Sequence, residues 1–388
     1  MAATFAGSMS FNAAATEPQS IDVAGFDFTP TLFVSESYDD NIRGRKTDEE
    51  SSWITNINPT FLLSAETGKS GYQLKYELDD KNYHSDSQVS HTDHHLTLKS
   101  ILEFTARNRL RWDVGYHKVE ETSDTAHKVE ETSDTAEIDE NDKYTLKNVG
   151  VGYTYGAQTA RNQLDFGANY LERRYQNSGN LNEDQEYDST ALVGTWYHRL
   201  GARTRVLGEL RHATFDYLQQ NSERDSTDTA ALVGATWEAT KKTSGAIRFG
   251  AERKNFDSSD VKDYTSPMWE VGVAYKPRTY STFSLDARRA FDEGDDGATT
   301  VHDTTTTLGW KHEWTSRIAT DLNYRYSDRK YEAVDRTDKR SSYGIGVTYA
   351  MLRWLDIGLG YRHLKNDSSL DTEGYVRNIY MVSFDVSL

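Results

Sequence analysis

Strict alternation of apolar and polar residues, repeated in short segments along 388 residues, is the feature that most limits what this chain can fold into. In Tyr72, Leu74, Tyr76 and Leu78 the apolar residues take every second place, with Gln73, Lys75, Glu77 and Asp79 between them. Successive side chains on a strand face opposite ways, so such a segment has one apolar face and one charged face. The pattern returns at Leu110, Trp112, Val114 and Tyr116, and at Leu164, Phe166, Ala168 and Tyr170. It continues at Trp269, Val271, Val273 and Tyr275, and at Phe283, Leu285 and Ala287. Tyr343 to Tyr349, Leu355 to Tyr361 and Tyr380 to Leu388 complete the set. A helical repeat of about 3.6 residues fits none of these segments.

The alternation needs a setting in which one face meets apolar solvent and the other meets water. Mean hydropathy is only -0.77, which taken alone points to a solvated or disordered chain. Yet the sequence carries 24 Tyr and 8 Trp, more aromatic surface than a solvating chain needs. No run approaches the roughly 20 apolar residues of a membrane helix. A barrel with a lipid-facing band and a wet lumen reconciles these observations, because inward side chains are polar and lower the average. The expected fold is therefore all-β: a transmembrane antiparallel β-barrel of about 18 strands in a bacterial outer membrane. A soluble sandwich fits less well, since no second apolar face exists to cover the first.

Connections alternate in length as the side chains alternate in polarity. Tight ones fall at Gly68-Lys69-Ser70, Arg107-Asn108, Gln158 to Arg161, Gly201-Ala202-Arg203, Lys241-Lys242, Pro277-Arg278, Thr315-Ser316 and Arg353-Trp354. Long hydrophilic stretches separate them, at Asp39 to Ser51, Glu120 to Asp142, Gln176 to Glu186 and Asp292 to Asp303. Short periplasmic turns and long acidic outer loops are expected of such a barrel. Trp53, Tyr197, Trp237, Trp310, Trp314 and Trp354 sit where strands meet connections and are expected to form the two aromatic girdles. The barrel is expected over residues 26–388, with 1–25 a signal-peptide remnant and tail: Ala13-Ala14-Ala15 fits a small-residue cleavage site. The apolar final strand resembles the signal read by the barrel-assembly machinery, with Leu388 where an aromatic residue is usual.

Projecting the inward positions gives a wall of mixed charge. Its expected lumen-lining residues are Lys75, Glu77, Arg111, Asp113, Asp165, Glu209, Arg211, Arg248, Glu252, Asp286, Arg288, Asp321, Arg325, Asp356 and Arg362. Interleaved acids and bases stiffen a wide barrel by pairing across strands, and they also offer a hydrated track to a polar solute. The net charge of -17 argues against nucleic acid as a partner. Outer-membrane lipid and lipopolysaccharide are the expected surroundings.

Catalysis finds no support. There is no Gly-x-Ser-x-Gly elbow and no phosphate-cradling glycine loop. His84, His91, His94 and His95 cluster near an expected outer loop, but their spacing matches no metal-ligand pattern. No cofactor and no metal are expected. With no Cys, disulfides and thiolate sites are excluded.

The exit of the first strand reads Ser37-Tyr38-Asp39-Asp40-Asn41-Ile42. This resembles the Tyr-Asp-Asp-Asn segment that opens a family of outer-membrane β-barrel porins often linked to exopolysaccharide export clusters. The resemblance implies a pore taking part in polysaccharide export, with the polymer and periplasmic export proteins as partners and biofilm as a setting. A general or solute-selective diffusion porin is the alternative, and a non-conducting scaffold or adhesin a third. Tyr38, Asp39, Asp40 and Asn41 carry the match, and Asp and Asn at a strand exit favour turning.

His117 to Ala126 recurs without change as His127 to Ala136. The copy falls where an outer loop is expected, and a ten-residue insertion there returns the chain to the same strand pair. Deleting residues 127–136 is expected to leave the heat-modifiable gel mobility of the folded barrel and its transport unchanged; loss of that mobility would place the segment in the wall.

Overall fold

The computed structural model describes residues 20–121, 141–177, 182–240, 242–294 and 297–387. Its first strands are β1 (Ile21–Val23), β2 (Phe26–Asp39), β3 (Ser52–Thr67), β4 (Ser70–Tyr83), β5 (His91–Thr105) and β6 (Asn108–Glu121). The middle of the chain gives β7 (Asp142–Tyr155), β8 (Asn162–Tyr175), β9 (Tyr187–Arg199), β10 (Thr204–Tyr217), β11 (Ser226–Thr240), β12 (Thr243–Phe256) and β13 (Tyr264–Arg278). The remainder gives β14 (Ser281–Glu293), β15 (Thr300–Glu313), β16 (Ile318–Glu332), β17 (Arg336–Leu352), β18 (Leu355–Ser368) and β19 (Tyr375–Ser387). Each strand pairs antiparallel with its sequence neighbours, and β19 pairs with β2. Strands β2 to β19 thus form a closed 18-strand barrel, while β1, within the expected N-terminal tail, adds a short pairing to β2.

Register confirms the two faces. Tyr72, Leu74, Val114, Tyr116, Leu164, Phe166, Val233, Phe249, Tyr343 and Ile345 are all exposed, as befits side chains that would meet lipid. Aromatic rings run round this outer face in rows: Phe28, Phe61 and Tyr76 stack across β2 to β4, and Tyr275, Phe283 and Trp310 across β13 to β15. Tyr197 does not belong to the outer face. It lies opposite Leu207 on the inward side, and its neighbour Trp196 takes the outward place. With a period of two, a shift of one residue changes the face.

Proline positions show how closely the ladder is tied to sequence, since proline lacks an N–H to donate. The β19–β2 ladder ends at Ser387 and Thr31, just short of Pro30. The β3–β4 register skips Asn58 and Pro59. Pro277 falls in the break between Tyr275 and Arg278, and Pro267 lies beyond the end of the β13–β14 ladder at Trp269 and Arg289.

The tight connections all lie at one end and the longer ones at the other. One long-end link is short: only residues 333–335 join β16 to β17. The expected loop from Glu120 to Asp142 is also narrower than sequence implied, because Glu120 and Glu121 still pair in β6 and Asp142 begins β7. His117 to Glu121 of the first repeat copy are strand residues, and the second copy lies outside the described residues. His91, His94 and His95 likewise belong to β5, because strands continue past the apolar band.

Closure is locked by the Tyr38 to Asn41 segment. Asp39, fully buried, accepts from Arg377 Nε at 2.7 Å and Nη2 at 2.6 Å, and from the Asn41 backbone N–H at 3.0 Å. Asp40 accepts from the backbone N–H of Asn378 at 2.6 Å and from its side-chain amide at 2.7 Å. Asn41 donates to the carbonyls of Arg45 at 2.7 Å and Val376 at 2.9 Å, and Tyr38 packs on Trp53. A further bridge from Lys46 to Asp371 crosses the same seam in solvent, where it adds little strength, though it holds the Asp371 carboxyl below its ordinary range. Asp39→Ala is expected to destabilise the barrel by about 3–5 kcal/mol, because it leaves Arg377 buried without its carboxylate. Urea titration in micelles, followed by loss of the heat-modifiable band, measures this; an unchanged midpoint would contradict it.

Candidate functional site

By register, all fifteen charged positions projected inward fall on the face opposite the apolar band. The wall brings many of them together. Arg111 reaches Asp165 at 2.8 Å across an intervening strand, and Asp113 accepts from Asn148 at 2.9 Å. Lys75 donates to Glu77 on its own strand. The densest group lies on β10 to β13, where Arg211 contacts Glu209 and Glu270, each at 2.6 Å, and Arg248 contacts the same two acids at 3.3 and 3.5 Å. Arg288 holds Asp292 at 2.7 Å and Asp303 at 3.2 Å. Arg362 donates to Ser342 Oγ at 3.3 Å. Asp321 lies opposite Lys311. Asp286, Arg325 and Asp356 enter no ion pair among the described residues. Pairing therefore links strands two or three apart as well as neighbours.

Towards the long-loop end one hairpin leaves the wall. The β14–β15 ladder continues to Glu293 and Thr300, but β14 parts from β13 beyond Arg289. Freed from β13, the tip leans inward onto β10 and β12. The Phe291 backbone N–H donates to Glu252 at 2.9 Å. Lys254, fully buried, donates to Glu293 at 2.6 Å, lies 3.4 Å from Asp228, and stands over the Phe215 ring at 4.5 Å. Tyr217 Oη donates to Glu293 at 2.8 Å, and Arg224 bridges the Gly294 and Asp184 carbonyls. Ala298 and Val301 seal the tip against Tyr331. On another sector of the wall, Ile42 and Val89 from two connecting segments pack on Ile54 and Tyr83, and Arg43 ties Glu50 to Asp86.

Several of these residues were missed in the sequence. Glu270 and Lys254 share the inward parity of the segments around them and were within reach of the alternation. Glu293 and Arg224 were not, because they act where the chain departs from the strand period. His95 and His117 bond each other at 3.0 Å across β5 and β6. Among the described residues no group of three or more His, Asp or Glu is placed to hold a metal ion.

A family model described as putative beta-barrel porin 2 matches residues 14–388. No curated protein sequence matches the chain. Among solved structures, OccK2 (OpdF) of Pseudomonas aeruginosa is similar with a TM-score of 0.52 at 11% identity, covering 93% of this chain and 98% of that one. The FrpB iron transporter of Neisseria meningitidis, F5-1 variant, gives 0.50 at 14% identity, covering 92% of this chain and 66% of that one. For the F3-3 variant of FrpB the chain spans 62% of the other's length, with a TM-score of 0.48 at 15% identity and 87% of this chain covered. At these identities the likeness to OccK2 and to the F5-1 variant shows a shared barrel fold.

Lys254→Met leaves Glu293 and Asp228 without their buried cation, a loss of about 3–5 kcal/mol that is enough to free the hairpin tip. Unitary conductance in planar bilayers is expected to rise above that of the parent protein; equal conductance would show that the tip does not narrow the path.

Proposed function

We infer the function of this chain from its membership: it belongs to the family described as putative beta-barrel porin 2, whose model spans the whole barrel. Membership supports a bacterial outer-membrane pore, and we propose that what passes through it is a secreted polysaccharide. The observation that carries this reading is the inner wall, polar along its length, with most of its charges paired within the wall. A hydroxyl-rich chain passing such a surface exchanges hydrogen bonds with fixed partners and water, and no single strong field arrests it. The inward hairpin narrows the path to suit a slim, extended solute. The resemblance of the Tyr38 to Asn41 segment supports the same reading.

In this orientation the tight turns face the periplasm and the long acidic loops face outward. Lipopolysaccharide then surrounds the loop end, and periplasmic export proteins deliver the polymer at the turns. The hairpin also favours a second reading, a solute-selective diffusion pore, because a filter of fixed charges discriminates among small solutes as well.

A strain lacking this chain separates the two. Polymer export predicts that extracellular polysaccharide falls sharply while polymer accumulates in the periplasm, with recovery on complementation. Normal secretion by the deletion strain, together with slowed uptake of small sugars, would transfer the assignment to solute diffusion.

A further inference from the structure

Two arginines face each other directly at the tight-turn mouth of the lumen. Arg199 on β9 and Arg205 on β10 are cross-strand partners, an arrangement in which like charges repel. Neither forms an ion pair with a carboxylate among the described residues. Their hydrogen bonds go to neutral acceptors instead. Arg199 donates to the carbonyls of Ala202 at 2.9 Å, Ala160 at 3.4 Å and Gln158. Arg205 donates to the same Gln158 carbonyl at 2.7 Å and to Gln163 Oε1 at 2.8 Å. Two guanidinium groups thus converge on one carbonyl oxygen.

A third arginine joins them. Arg109 on β6 donates to the carbonyls of Gly156 at 3.3 Å and Ala106 at 3.5 Å, so all three surround the turn that joins β7 to β8. Of the nearby acids, Glu103 lies directly opposite Arg109 across β5 and β6 and 3.4 Å from Lys69, and Asp165 pairs with Arg111. Glu238 on β11 is exposed and forms no ion pair among the described residues, but lies near enough to attract Arg205. Tyr197, two residues before Arg199 on the same inward face, presents a ring beside the pair.

Holding the turn accounts for the hydrogen bonds but not for the charge. A backbone carbonyl satisfies a donor and leaves its charge in place, so the facing Arg199 and Arg205 side chains, both partly exposed, remain available to an anion entering from the turn end, with Arg109, offset in part by Glu103, beside them. We propose that Arg109, Arg199 and Arg205 form a docking subsite for the carboxylate groups of an acidic saccharide, with Tyr197 offering its ring to a sugar face. This deepens the conduit reading and rests on it, since it gives the polymer a charge and the lumen an entry end. The wall beyond the mouth, where most charges are paired, then lets the chain move on.

Calorimetric titration of the folded barrel in detergent micelles at low salt tests the subsite without requiring conduction. The probes are trigalacturonate, monomeric galacturonate and maltotriose. Trigalacturonate is expected to bind, more tightly than the monomer, with maltotriose giving no heat. In the Arg199→Gln, Arg205→Gln double variant its affinity is expected to fall roughly tenfold or more, through loss of charge-assisted hydrogen bonds. If the double variant lacks the heat-modifiable band of a folded barrel, Arg205→Gln alone is read in the same way, with Arg199 still holding the turn. No heat from trigalacturonate, equal heat from maltotriose, or unchanged affinity in a folded variant would overturn the subsite. Equal affinity for the monomer would overturn its assignment to a polymer. None of these results bears on whether the barrel conducts, which bilayer currents report separately.

Discussion

Closure is the constraint on which the rest of this structure depends. In a lipid setting an open sheet edge leaves backbone N–H and C=O groups without partners, so the first and last strands must meet. Here β2 meets β19, and the buried Asp39–Arg377 pair fixes that contact at its long-loop end. Asp40 and Asn41 extend the joint past the last ladder pair by capping the backbone of Asn378 and Val376. The segment that recommended a family resemblance is thus a structural clasp between residues more than three hundred positions apart. Its acidic and amide side chains do turn the chain, as expected of Asp and Asn at a strand exit, and they also join the two ends of the wall.

Once the wall is closed, its inner face becomes a separate electrostatic problem. Charges there meet water on one side and a low-dielectric sheet on the other, which makes pairing worthwhile. Arg211 and Arg248 with Glu209 and Glu270 form a compact four-member network, and Arg288 is shared between two aspartates. The hairpin tip exploits the same chemistry over a longer reach, with Lys254 fully buried beneath it. Such a buried pair is a poor source of net stability but a good determinant of position, since the alternatives leave an unpaired charge. The tip is placed by charge where backbone pairing to β13 has ended.

The fold was legible in the sequence because a period of two is a strong signal when one face must be apolar. Leu110 to Tyr116 and Tyr343 to Tyr349 announced both the strand and its facing, and the alternation of tight and long connections set the number of strands. The same rule explains the error at Tyr197. An aromatic residue near a strand end was grouped with the girdle by position, whereas parity with Thr195 and Arg199 sends it inward. The inward charges on regular strands were equally accessible, and Lys254 follows Glu252 by two residues on the same face. What the sequence did not disclose was the departure of β14 from β13. That event depends on where a ladder stops, and no residue pattern marks it beyond Pro267 on the far strand. Glu293, Tyr217 and Arg224 acquire their roles only after the tip has moved inward.

Under the proposed function, this closed wall encloses a continuous path for saccharides. Efflux of radiolabelled maltohexaose from liposomes reconstituted with the folded barrel tests it most directly, with heat-modifiable mobility used to verify folding. A continuous path predicts release that increases with the amount of folded barrel and is absent from protein-free liposomes. Retention of the sugar by liposomes that contain folded barrel would contradict it.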